Sequence, residues 1–257
     1  MALLDISDLE INFGGLRAVS GFTMKLEKGD LRGLIGPNGA GKTTVFNMLT
    51  GVYRPDKGQI TLDGRPVIGL KPHQIAACGM SRTFQNIRLF KGLTVVDNVK
   101  ISLNLNSKCN VLESVFRLPR YYREEDRITA RAEELLDLFR LKDRKKAPAS
   151  SLPYGEQRRL EIARALATGP KVLLLDEPAA GMNPQESQEL MGLIKWINKE
   201  FDLTILLIEH HMEVVMGVCQ KIQVLDYGLT IAEGAPSEIK RNPRVIEAYL
   251  GEEVHDA

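Results

Sequence analysis

Cysteine is scarce. The chain has three in 257 residues, Cys78, Cys109 and Cys219, odd in number, widely spaced and forming no CxxC. That spacing argues against a disulfide frame or a metal knuckle and for reduced thiols in a reducing compartment. Charge of one sign is not in excess either: 34 Lys and Arg face 33 Asp and Glu, a net charge of +1. Nothing in that balance marks nucleic acid as the main partner. No window approaches the roughly eighteen uninterrupted apolar residues of a membrane span. The start, Met1-Ala2-Leu3-Leu4-Asp5, lacks the basic residues and apolar run of a secretory leader. The expectation is a cytosolic chain, at most peripheral to a membrane through its partners. There is no internal repeat and no low-complexity tract. What remains is ordinary globular composition, 44% hydrophobic and 26% charged, in a length that holds one large α/β domain or a core with a smaller lobe.

Against that plain background one segment stands out. Gly36-Pro37-Asn38-Gly39-Ala40-Gly41-Lys42-Thr43-Thr44 reads GxxxxGKT. Leu31 to Ile35 before it reads as a short buried strand, and Val45 to Thr50 after it is helix-compatible and stops at Gly51. Strand, glycine-rich turn, helix is the context a phosphate-binding loop requires. The glycines let the backbone wrap close enough for its N–H groups to face phosphate oxygens, and the helix N-terminus adds partial positive charge there. Lys42 can reach the β- and γ-phosphates, and the Thr43 hydroxyl can ligate Mg²⁺. The chain is predicted to bind a nucleoside triphosphate.

Leu4, Ile6, Leu9 and Ile11, then Phe22, Met24 and Leu26, fall at a two-residue period, with Ile60 and Leu62 continuing it to the turn Asp63-Gly64-Arg65-Pro66. These read as half-buried antiparallel strands around the phosphate loop. From about Asn86 to Ala147 strand signals fade. Ile128, Ala132, Leu135, Leu136, Leu138 and Phe139 lie at helical spacing in a charge-rich stretch, which predicts an inserted helical lobe whose run Arg120 to Arg131 is a solvated face. Pro148 to Pro153 links back to the core. Beyond it, Leu160–Thr168 reads as helix and Lys171–Leu175 as strand. Asn183 then N-caps a helix beginning at Pro184, and Leu203–Ile208 and Lys221–Asp226 read as strands. Alternating strands and helices predict a parallel sheet covered on both faces. A short helix from Asn242-Pro243 to Gly251 ends the pattern.

Val172-Leu173-Leu174-Leu175-Asp176-Glu177 is an apolar strand ending in two carboxylates. Asp176 is placed to hold Mg²⁺, directly or through water, and Glu177 to orient or deprotonate the water attacking the γ-phosphate. Gln85, at the junction of core and lobe, can contact metal and water through its amide. His210 follows the strand Leu203–Ile208 at the sheet edge of Glu177, where an imidazole can bond the γ-phosphate. His73, His211 and His255 receive no functional reading. Leu152-Pro153-Tyr154-Gly155-Glu156-Gln157 opens a helix with exposed backbone donors, a second anion-facing element. Two such elements more than a hundred residues apart suggest two chains sharing two nucleotides.

In this order the phosphate loop, Gln85, the LPYGEQ segment, Asp176-Glu177 and His210 resemble the ATPase subunits of ABC transporters. The resemblance implies an α/β P-loop NTPase fold of the ABC ATPase type: a mixed sheet core with an antiparallel β subdomain and an inserted helical subdomain. Residues 1–85 and 148–257 would form the core and 86–147 the insertion, with 152–157 leading into its return. It also implies head-to-tail pairing. Tyr154, Gly155 and Glu156 of one chain would face the nucleotide held by residues 36–44 of the other, and Phe13 would stack on adenine. Ser81-Arg82-Thr83-Phe84-Gln85-Asn86-Ile87-Arg88-Leu89-Phe90, Ala179-Ala180-Gly181-Met182-Asn183-Pro184, Ile208-Glu209-His210 and the closing Ala248-Tyr249-Leu250-Gly251 are similar to the larger ATPase subunit of branched-chain amino-acid importers, the LivG type.

That likeness implies ATP or ADP with Mg²⁺ as ligands and ATP hydrolysis as the activity. The implied partners are two transmembrane permeases, a LivF-like second ATPase subunit and an extracytoplasmic binding protein, with a homodimer as the option for the isolated chain. The location implied is the cytoplasmic face of the membrane. The chain departs from the general pattern at Pro153 and Tyr154, where LSGGQ has Ser and Gly, and at Asn183, where an aspartate is usual and where an N-cap accounts for the residue. Other readings of the same fold are transport of urea, amides or lipopolysaccharide, a non-transport ATPase of DNA repair or translation, and a module that binds ATP without hydrolysis. SRTFQNIRLF and AYLG favour amino acids. The last two readings are opposed, respectively, by the lack of a long coiled coil, zinc cysteines or a second ATPase unit, and by the presence of both Glu177 and His210.

Overall fold

The computed structural model describes residues 2–106 and 115–250, so Cys109, Gly251 and His255 lie outside it. The described chain divides into two compact units, residues 1–85 with 171–257, and residues 86–170.

The first unit holds two sheets. Strands β1 (Leu4–Phe13), β2 (Leu16–Leu26), β4 (Lys57–Leu62) and β5 (Arg65–Pro66) form an antiparallel sheet in the order β2-β1-β4-β5. Its register sets Leu4 opposite Leu26 and Leu62, and Ile6 opposite Met24 and Ile60, so the apolar positions of the two-residue period share one face. The second sheet runs β10-β9-β3-β8-β7-β6, from β3 (Leu31–Ile35), β6 (Met80–Arg82), β7 (Val172–Asp176), β8 (Thr204–Ile208), β9 (Lys221–Asp226) and β10 (Leu229–Gly234). Five of these run parallel and β10 pairs antiparallel to β9, so the sheet is mixed. Every residue of β7 and β8 is buried, which explains their unbroken apolar sequence.

Helix α1 (Lys42–Leu49) follows β3, and its Val45, Phe46, Met48 and Leu49 join one core with Leu4, Ile6, Phe22, Leu174, Leu206 and Leu225. α2 (Pro72–Cys78) precedes β6. α6 (Pro184–Glu200) connects β7 to β8 and begins on a reciprocal cap. Asn183 Oδ1 accepts from the Glu186 amide at 2.9 Å, and Glu186 Oε2 accepts from the Asn183 amide at 3.0 Å. α7 (Met212–Val218), α8 (Pro236–Ile239) and α9 (Pro243–Leu250) complete this unit.

The second unit is helical: α3 (Val95–Leu103), α4 (Pro119–Leu138) and α5 (Tyr154–Ala167) pack on one another. Ile128, Ala132, Leu135 and Leu136 of α4 are buried, as the helical spacing predicts, whereas Leu138 is exposed because helical rotation sets it about 100° from the centre of that buried face. No helix among the described residues is long and apolar enough to cross a membrane.

Candidate functional site

The loop after β3 is built on glycines that no other residue can replace at equal cost. Gly36 has φ +150, and a Cβ there would lie 2.0 Å from the Leu225 carbonyl oxygen. Gly41, the residue before α1, has φ +101, and its Cβ would meet the Ala18 carbonyl at 2.7 Å. Gly36 and Ala40 are buried, while Asn38, Gly39 and Thr43 are exposed and Pro37 and Thr44 half-buried. The loop is therefore wedged against the core at its start and end and open at its crown, where its amides and the Thr43 hydroxyl meet solvent. A narrow backbone cradle leading into a helix N-terminus suits phosphate oxygens.

Lys42 lies across this cradle, its ammonium donating to the Gly36 carbonyl at 2.7 Å and the Pro37 carbonyl at 2.9 Å. Burial pulls its pKa below the ordinary lysine value of 10.5, and the charges of Glu177 and Asp176 oppose that fall. Both carboxylates thus act on the lysine that caps the loop.

Those carboxylates come from the end of β7. Glu177 follows the strand with φ +44, a left-handed conformation rare for a non-glycine residue, and its amide donates to Ile208 of β8 at 2.8 Å. Glu177 Oε2 accepts from Gln85 Nε2 at 2.6 Å and lies 3.4 Å from His210 Nδ1. The structure therefore brings together Lys42, Asp176, Glu177, Gln85 and His210, five residues from four stretches of sequence. Thr43, Gln85 and Asp176 offer a hydroxyl, an amide and a carboxylate, the hard oxygen donors that suit Mg²⁺.

Phe13, at the end of β1, packs edge to face on Tyr53 with ring centroids 5.2 Å apart and leaves 44% of its surface exposed. Tyr154, Gly155 and Glu156 lie in the helical unit at the first turn of α5. There the Tyr154 hydroxyl accepts from Arg158 at 3.3 Å, and Gln157 donates to the Leu152 carbonyl at 2.8 Å. Arg158 and Glu161 form a wholly buried pair at 2.7 Å that anchors this turn.

Two residues had no role assigned from the sequence. Arg82, on β6, donates to Asp176 Oδ2 at 2.6 Å. Glu209 is wholly buried. Its Oε1 accepts from the Ala179 amide at 2.7 Å, and its Oε2 accepts from the His210 and His211 amides at 3.1 and 3.2 Å. Glu209 thus ties the turn after Glu177 to the turn that carries His210. An arginine and a glutamate flanking named motifs were the only available signals, and neither identifies a partner.

The chain is similar to known proteins over nearly its whole length. Residues 19–180 match the family model described as ABC transporter, and residues 230–255 match the one described as branched-chain amino acid ATP-binding cassette transporter. The chain is 46% identical over 250 residues to the high-affinity branched-chain amino acid transport ATP-binding protein BraF of Pseudomonas aeruginosa, covering 97% of this chain and 98% of that one. It is 45% identical to the corresponding protein LivG of Escherichia coli over the same shares of each chain. Among solved structures, the ADP conformation of MJ1267, an ATP-binding cassette of an ABC transporter, superposes with a TM-score of 0.85 at 30% identity, covering 98% of this chain and all of that one.

Proposed function

Since the chain belongs to the ABC transporter family, in its branched-chain amino-acid group, we propose that it is the ATP-binding and ATP-hydrolysing subunit that energises branched-chain amino-acid import. The observation that carries this reading is the meeting of Lys42, Asp176, Glu177, Gln85 and His210 over one glycine cradle.

The residues divide the work by their chemistry. The backbone N–H groups of residues 36 and 38–44 hold the phosphates (Pro37 has none to offer), and Lys42 exchanges its two carbonyl acceptors for β- and γ-phosphate oxygens. Phe13 offers its exposed ring to adenine. Thr43, Gln85 and Asp176 would hold Mg²⁺. Held there, it would offset the negative charge that develops on the phosphate oxygens. Glu177 accepts a proton from the water whose oxygen attacks the γ-phosphorus, and ADP leaves with the β–γ bridging oxygen. Gln85, already bonded to Glu177, orients that carboxylate, and His210 donates to the γ-phosphate. Tyr154, Gly155 and Glu156 are assigned to the nucleotide of a second ATPase subunit, a LivF-like partner or a second copy of this chain. Two permeases and an extracytoplasmic binding protein complete the assembly, which sets this subunit at the cytoplasmic face of the membrane.

Glu177→Gln tests the assignment. It is expected to keep ATP affinity within about threefold and to lower phosphate release from the reconstituted complex by about 10²–10⁴, the usual share of a general base. Turnover at the wild-type rate would refute it.

A further inference from the structure

The reaction as described gives Arg82 no task, yet its guanidinium is among the most constrained groups in the site. Its side chain is 6% exposed. One terminal nitrogen donates to Asp176 Oδ2 at 2.6 Å, and the other donates to Asn47 Oδ1 at 2.8 Å and to Thr50 Oγ1 at 3.5 Å, both from the α1 region. The rings of Phe46 and Phe84 lie 5.3 and 5.2 Å from its central carbon, and its Nε has no partner among the described residues. A guanidinium held this way stays charged and stays in place. Asp176, also 6% exposed at its side chain, therefore carries a fixed counter-charge on Oδ2, while Oδ1 makes no other bond among the described residues.

We infer that Arg82 sets the metal affinity of this site. By neutralising Asp176 it prevents the carboxylate from retaining a divalent cation alone, so the cation is held only jointly with nucleotide phosphates and departs with the products. The inference rests on the reading of Asp176 as a metal residue. A cation at Oδ1 is attracted by the carboxylate and repelled by the guanidinium a few ångströms behind it. At the low effective dielectric of so buried a pair, that repulsion outweighs small losses of geometry. A purely structural role predicts the opposite outcome, since loosening Asp176 weakens any ligand it holds.

Mn²⁺ binding to the full chain, followed by electron paramagnetic resonance with and without ADP, separates the two. Arg82→Gln is expected to tighten Mn²⁺ at least tenfold in both conditions, and adding Asp176→Asn to that variant to abolish the gain. Arg82→Lys, which keeps the charge and loses the fork, is expected to stay within threefold of wild type. Unchanged or weaker Mn²⁺ binding in Arg82→Gln overturns the inference, as does a tenfold change in Arg82→Lys. The lysine variant decides alone should the glutamine variant not fold. Asp176→Asn in the wild-type background separates the two readings. If it leaves Mn²⁺ affinity in the ADP complex unaltered, the metal assignment falls and this inference with it. If it weakens Mn²⁺ while Arg82→Gln does not tighten it, only the inference falls.

Discussion

Gly36 and Gly39 belong to one loop and both have positive φ, but the protein meets a methyl group at the two positions in different ways. At Gly39, with φ +82, an added Cβ has nothing within 4 Å. Gly39→Ala therefore costs only the left-handed backbone, about 1–2 kcal/mol. At Gly36, with φ +150, the Cβ would sit 2.0 Å from the Leu225 carbonyl oxygen and 3.0 Å from its carbon. Leu225 lies on β9, which is fixed to β3 by the pairing of Ile35 with Val224, so the carbonyl cannot move aside without shifting the central sheet. Overpacking of about 1–3 kcal/mol adds to a backbone cost of about 1–3 kcal/mol. With roughly 2–4 °C lost per kcal/mol in a domain of this size, Gly36→Ala is expected to lower the melting temperature at least twice as far as Gly39→Ala. Thermal unfolding followed by circular dichroism, without nucleotide, measures both. ADP titration calorimetry on the same variants is expected to show Gly39→Ala retaining affinity within about tenfold, and Gly36→Ala losing it because the cradle itself has moved. Equal melting temperatures would refute the reasoning, since they would mean that β9 yields freely to the loop.

Three further outcomes are expected. The pKa of Lys42 is lowered from 10.5 by burial, and phosphate bound beside it raises that pKa again. ADP binding should thus take up a proton, and affinity should fall as pH rises through the window below 10.5; calorimetry in buffers of different ionisation enthalpy tests this, and Lys42→Met should abolish the linkage. Burial, reinforced by the Glu209 charge, pushes the Cys219 thiol up to about 12, so iodoacetamide at pH 8 should alkylate half-buried Cys78 far ahead of Cys219 in the native protein, as read by peptide mass spectrometry. Asn183→Ala removes the Oδ1 cap from the Glu186 amide and should cost about 1 kcal/mol in denaturant titration; Asn183→Asp should restore it, and a neutral alanine variant would mean the cap contributes nothing.

What the sequence disclosed and what it hid divide along the range of the interactions involved. The phosphate loop is legible because its requirements are local. A strand, three glycines and a helix start lie within residues 31–42, and the structure meets each requirement in that stretch. β7 and β8 are legible because burial on both faces leaves the unbroken apolar runs 172–175 and 205–208, and β9 because Ile222, Val224 and Leu225 keep it mainly apolar around Gln223. β10 was missed since an edge strand of exposed and half-buried residues carries neither alternation nor a run. Short α2 and α7 were missed for a similar reason, each offering few buried positions from which to read a period.

The site itself shows a sharper division. The residues assigned to the substrate could be named from the sequence, because phosphate chemistry restricts which side chains serve and in what order. Residues that hold those residues could not. Arg82 reaches a carboxylate 94 positions away, and Glu209 an amide 30 positions away. Nothing in the composition of either segment distinguishes a buried partner from a solvated charge. Yet Arg82 decides how much negative charge Asp176 presents, and Glu209 fixes the turn of Glu177 to that of His210. A sequence motif records which groups touch the substrate, whereas the charge and spacing with which they do so are set by long-range contacts the motif does not contain. Among related chains with the same five motifs, differences in metal requirement should therefore follow the residue at position 82 more closely than any change inside the motifs. Mn²⁺ affinity measured across such chains, with and without arginine at that position, puts this to the test.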